Sequence, residues 1–178
     1  MKARFAWQAQ VDQLRDRQLG ELGVRRYAPG GDKVPFEPTL YGSVTDPSFS
    51  ALTNDNNRLR AKFIRTGDRF DLWFSLKIGT GFSAGAGAWT MNLPDGIETS
   101  VLATGLAYTN LGIWQARRSS VSSLVFGPIT VVTSNSGRVA FEYPATSPIG
   151  TPTSIGHTTP WTWASNDEFG GHISFPVA

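Results

Sequence analysis

RLRAKFIRTGDRFDLWFSLKIGTGFSAGAGAWTMNLP, residues 58–94, decides the fold class. Within it Phe70, Leu72, Phe74, Leu76 and Ile78 occupy every second position, and Arg69, Asp71, Trp73, Ser75 and Lys77 fill the gaps. Successive side chains of an extended chain point to opposite faces, so a period of two marks a half-buried β-strand. Upstream, Ala61, Phe63 and Arg65 alternate with Arg60, Lys62 and Ile64, and RTGD at 65–68 supplies a turn. Downstream, the glycine-rich run 79–88 leads to Trp89, Met91 and Leu93, which alternate again. These three strands are expected to form an antiparallel meander.

The pattern continues toward the C-terminus. Residues 100–108 read as a strand. Ile113, Gln115 and Arg117 are expected on one face of the next strand, with Trp114 and Ala116 on the other. The apolar run 122–133 is broken by Gly127-Pro128, which predicts a bend or a sheet edge. Val139, Phe141 and Tyr143 alternate with Arg138, Ala140 and Glu142. Residues 144–159 read as a long loop, and Ile173, Phe175 and Val177 share one face of a last strand. Roughly eight to ten short strands with regular turns describe an all-β, antiparallel β-sandwich of jelly-roll type, over residues 39–178.

Two pieces precede it. Residues 25–38 carry Pro29, Pro35, Pro38, Gly30 and Gly31, a composition that reads as a linker without regular structure. Residues 1–24 form the one helical candidate, in which Trp7, Val11 and Leu14 continue a stripe begun by Ala3. So short a stripe needs a partner surface. It is expected to act as an anchoring or oligomerisation arm, packing on its own domain, on sister copies or on another protein.

Composition narrows the function classes. A chain of 178 residues with 40% hydrophobic content can bury one sizeable core. It contains no cysteine, which excludes disulfides and thiolate metal sites. No apolar run reaches the ~18 residues of a membrane span, and the N-terminus lacks the pattern of a signal peptide. The net charge is +2, and the Arg and Lys residues are scattered in sequence, which predicts neither nucleic-acid binding nor membrane insertion.

Catalytic patterns are missing. His157 and His172 stand alone, the G-x-S-x-G spelling at Gly81-Phe82-Ser83-Ala84-Gly85 lies in a glycine-rich run that joins two strands with no helix after it, and that run also lacks the Lys of a phosphate loop. Asp68, Asp71, Asp95, Glu98, Glu142, Asp167 and Glu168 are the carboxylates available for glycoside cleavage, and nothing in their spacing pairs them. A non-enzymatic protein without cofactor or metal is expected. Trp73, Trp161 and Trp163 are candidates for glycan contact, because an aromatic face can carry a sugar ring. Core or subunit-interface packing is the alternative for all three.

Several short motifs also occur in a recognisable order. Pro38-Thr39-Leu40, Asp46-Pro47-Ser48-Phe49, the strand–turn–strand of residues 60–70, and residues 88–94 follow one another, and residues 159–178 close the chain. Together they resemble a β-module of bacteriophage tail fibres and other virion surface proteins, particularly of phages that infect actinobacteria. Two departures fall in the last hairpin: Asn166-Asp167 stands where the module has Gly-Asp, and Pro176 lies in the final strand. The resemblance implies a structural virion protein, made in the host cytoplasm and carried on the particle surface as a homotrimer. Its partners would be sister copies, other virion proteins and host-surface carbohydrate. Capsid decoration, with the arm docked on the major capsid protein, is the alternative role, and the small size of the chain favours it. A free carbohydrate-binding module is the third.

Overall fold

The computed structural model describes residues 33–49, 59–99, 110–143 and 153–177. The arm residues Trp7, Val11 and Leu14 and the strand expected at 100–108 lie outside them. The described residues contain twelve strands and no helix: β1 (Val34–Phe36), β2 (Leu40–Gly42), β3 (Ser48–Phe49), β4 (Arg60–Thr66), β5 (Arg69–Lys77), β6 (Phe82–Ser83), β7 (Trp89–Asn92), β8 (Asn110–Arg118), β9 (Ser123–Val131), β10 (Arg138–Tyr143), β11 (Thr153–Ser154) and β12 (Glu168–Pro176). Ten of them form one antiparallel sheet in the order β1-β4-β5-β12-β8-β9-β10-β7-β2, with β11 paired to β10. Strands β3 and β6 form a separate pair. The expected all-β, antiparallel class is therefore observed.

The sheet is strongly curled, and chain connectivity requires it. β1 and β2 lie at opposite ends of the strand order, yet only Glu37, Pro38 and Thr39 separate them. Four Cα steps span at most about 14 Å. Nine strands laid flat would be roughly 38 Å across. The edges can meet this limit only if the sheet rolls toward itself. Thr39 N then donates to Asn92 Oδ1 at 2.6 Å, beside β7.

Alternation places the core inside the curl. Phe70, Leu72, Phe74, Leu76, Ile173 and Phe175 are all buried there. So are Trp114 and Ala116, while Ile113, Gln115 and Arg117 share the opposite face, as their spacing predicts, and that face meets solvent. Phe169 is the hub, with ring centroids 4.9 Å from Phe141, 5.5 Å from Phe74 and 5.9 Å from Trp163. The β4–β5 hairpin closes through Gly67-Asp68, with Gly67 at φ 61°. A left-handed first turn residue suits the type II′ turn, whose twist matches the flanking strands.

Four expectations change. The three strands of residues 60–94 are not a meander: β5 lies between β4 and β12, and β7 pairs with β10 and β2. The glycine run between β5 and β7 is a crossing segment rather than a turn. Gly81, Gly85 and Gly87 hold positive φ there, and β6 interrupts it. Second, Val34–Phe36 within the Pro-rich run is a strand, paired with β4. Pro35 is tolerated because β1 is an edge.

Third, Gly127-Pro128 does not end β9. The strand runs through, with Trp114 opposite Gly127 and Ile113 opposite Pro128. The β10 ladder stops at Ile129, so Pro128 faces no β10 partner on its other side. Fourth, the loop expected at 144–159 contains β11 and the fully buried Ile155. Ile155 bridges strands: its N–H donates to Phe141 O, and its carbonyl accepts from Trp89 N, each at 2.7 Å.

Candidate functional site

The outer face of β4, β5, β12, β8 and β9 presents three parallel rows, each set by strand register. The middle row is Arg60, Ser75, Gly170, Gln115 and Phe126. On one side stands Lys62, Trp73, His172, Ile113 and Pro128, and on the other Lys77, Glu168, Arg117 and Leu124. Ser75 and Gly170 are small, so the middle row becomes the floor of a trough and the outer rows become its walls. The floor row is about 19 Å long over four strand spacings. Corresponding Cα positions on the walls are about 13 Å apart, four residues along each strand.

The trough encloses about 820 Å³. A second hollow of about 500 Å³ shares Arg60, Trp73 and Ser75 with it and adds Lys33, Glu37 and Lys62. The two therefore adjoin at the Trp73 wall.

Gly170 also has a packing reason to lack a side chain. A Cβ there would lie 2.8 Å from the Phe74 carbonyl oxygen. Its neighbour Gly171 faces inward, where a Cβ would lie 2.8 Å from the Phe74 ring. Close approach of β12 to β5 thus demands both glycines, and the open floor follows.

Trp73 stands in the wall with both ring faces covered. His172 stacks on one, with centroids 4.8 Å apart and planes within 13°. Lys33 Nζ lies 4.0 Å from the ring centroid, and since His172 occupies one face, this cation covers the other. The exposed aromatic face expected for a sugar is therefore taken. His172 Nε2 is buried, 3.3 Å from Asp71 Oδ1 but off the line of a good hydrogen bond. Asp71 also accepts from Arg69 Nε at 3.2 Å. Burial pushes the Asp71 carboxyl up. Hydrogen bonds from Ser174 and Arg69, the Arg69 charge and the His172 imidazole outweigh burial and hold the pKa below the usual carboxylate value.

Trp161 and Trp163 belong to the interior scaffold. Trp163 is 8% exposed, stacks on Trp89 at 5.0 Å and donates from Nε1 to Gly156 O at 2.8 Å. Half-buried Trp161 donates from Nε1 to Asp167 Oδ2 at 3.1 Å. Asp167 is completely buried and ties its own loop to the segment after β8. Its other bonds come from Ala164 N on the same loop and from Ser119 N and Oγ after β8. Asn166 adopts φ 71°, a left-handed conformation in which Asn is enriched among non-glycine residues.

Alternation separates the adjacent carboxylates Asp167 and Glu168. Asp167 points inward, while Glu168 faces out and pairs with Arg117 at 3.2 Å. Glu142 accepts from Ser154 Oγ. Among the described residues, no group of three or more His, Asp or Glu side chains is placed to hold a metal ion, and no helix is long and apolar enough to cross a membrane.

Two groupings of residues were not legible in sequence. Ile113, Leu124 and Phe126 are 59%, 59% and 65% exposed and sit together on the outer face of β8 and β9. In addition, Lys33, Arg60, Lys62, Lys77 and Arg117, scattered along the chain, line the two adjoining hollows. Comparison of the chain with protein-family models, with curated proteins and with solved structures returns no match.

Proposed function

We propose that this chain is a non-enzymatic structural protein of a bacteriophage particle, displayed on the virion surface as a homotrimer that binds host-surface carbohydrate. The observation that carries the reading is the solvent-facing strip of Ile113, Leu124 and Phe126, which lines the β8–β9 end of the trough. An apolar strip on interior strands of a sheet marks a surface that a partner covers. In this reading sister subunits cover the strip at the β8–β9 end, and the carbohydrate occupies the rest of the trough, over β4, β5 and β12. The motifs that resemble tail-fibre modules support it, because they fall on successive elements: residues 60–70 on the β4–β5 hairpin, 88–94 on β7 and 159–178 on β12. We also read the curled sheet as a jelly-roll-like sandwich, its halves facing across Phe74, Phe141 and Phe169.

Cryo-electron microscopy of purified particles tests the proposal through copy number and position. A few copies at the tail tip support host recognition. Hundreds of copies on the icosahedral lattice would instead establish capsid decoration. Absence from the particle would overturn the virion reading.

A further inference from the structure

The cations of the trough point to the chemistry of its ligand. Lys33, Arg60, Lys62, Lys77 and Arg117 line the two adjoining hollows, against Glu37 and Glu168. These seven side chains sum to +3, from five positive and two negative charges, whereas the whole chain carries +2. The remainder of the chain is therefore near neutral, and this face holds the basic excess. Glu168 is further occupied by Arg117 at 3.2 Å. Lys62 and Lys77 are both exposed and lie in the rows on either side of Arg60 and Ser75, Lys62 in the smaller hollow and Lys77 in the trough.

We infer that the trough and its adjoining hollow take an acidic polysaccharide, bearing carboxylate or phosphate groups, laid across the strands with its anions against Lys62 and Lys77. This deepens the carbohydrate-binding role proposed above and rests on it. Gln115 and Ser75 supply neutral donors and acceptors for hydroxyl groups along the floor. A nucleic acid fits less well. Both faces of Trp73 are covered by His172 and Lys33, which leaves Phe126 as the exposed aromatic of the trough lining, whereas a strand of bases stacks on successive aromatic faces. The carboxylates of Glu37 and Glu168 would also oppose a continuous phosphate backbone.

The test is calorimetric titration of the full chain with polygalacturonate, poly(glycerol phosphate) teichoic acid, neutral dextran and oligo-dT. Binding of either acidic polysaccharide, weakened by added salt and absent with dextran, is the expected result. The two acidic probes distinguish carboxylate from phosphate as the recognised anion. Lys62→Glu and Lys77→Glu should each weaken binding about tenfold, with melting temperature unchanged.

Equal binding of dextran, tighter binding of oligo-dT, or no binding of either acidic polymer would overturn the inference. So would full affinity in both folded variants. If a variant fails to fold, the salt dependence and the dextran comparison on the native chain still decide. Virion location is measured separately. A particle-borne chain that ignores acidic polymers sinks this inference alone, whereas acidic-polymer binding by a chain absent from particles sinks the virion reading.

Discussion

The indole Nε1 of Trp114 donates to the carbonyl oxygen of Glu142 at 2.9 Å, joining β8 to β10 across the intervening strand β9. The bond passes over Gly127, where an added Cβ would lie 2.2 Å from the Glu142 oxygen and 2.9 Å from the indole. The side chain missing at Gly127 is what lets Trp114 lie flat on β9 and satisfy its own donor.

Gly127→Ala is accordingly expected to destabilise the domain by about 1–3 kcal/mol, because neither neighbour can retreat from a packed core. Trp114→Phe keeps an aromatic ring but leaves the Glu142 carbonyl without this donor, and should cost about 1–3 kcal/mol. Urea denaturation of both variants checks the pair. Native stability in Gly127→Ala would mean that β9 and β10 are not so closely apposed.

Asp167 should be the most sensitive carboxylate. It is fully buried and accepts from Ser119, Trp161 and Ala164. Asp167→Asn keeps the shape but turns an NH2 group toward N–H donors. A loss on the order of 3 kcal/mol is expected, seen as a lower urea midpoint. Near-UV circular dichroism should report the release of Trp161.

Asp71 predicts an acid-side loss of stability. Its folded pKa lies below the unfolded value, so the unfolded chain binds the extra proton first as pH falls. The stabilisation is complete above the unfolded pKa of about 3.9 and disappears as pH drops through the folded value. Asp71→Asn should flatten the dependence of the urea midpoint on pH below about 4. An unchanged profile would place the acid sensitivity elsewhere.

Trp163 and Phe126 should behave oppositely. Trp163 stacks on Trp89 in the core, so Trp163→Ala should cost about 3–5 kcal/mol. Any ligand binding lost in that variant would reflect unfolding. Phe126 is 65% exposed, so Phe126→Ser should change folding stability by less than about 0.5 kcal/mol. Light scattering should nonetheless show fewer of the proposed trimers, because the strip assigned to the subunit contact loses its largest side chain.

The sequence by itself determined which residues face inward along most described strands. Phe70 through Ile78, Trp114 against Ile113, and Ile173 with Phe175 all follow from a period of two. The β4–β5 hairpin was equally legible, since Gly67 and the two-residue spacing are local signals. Strand neighbours were not. Only the tertiary structure inserted β12 between β5 and β8 and sent β7 to pair with β10. It also covered both faces of Trp73 and gathered five dispersed cations onto one face. The physical reason is range. Alternation is a property of one extended segment, whereas strand order depends on long-range pairings that bury Trp89, Trp114, Phe141 and Phe169 together, and no local spacing encodes that choice.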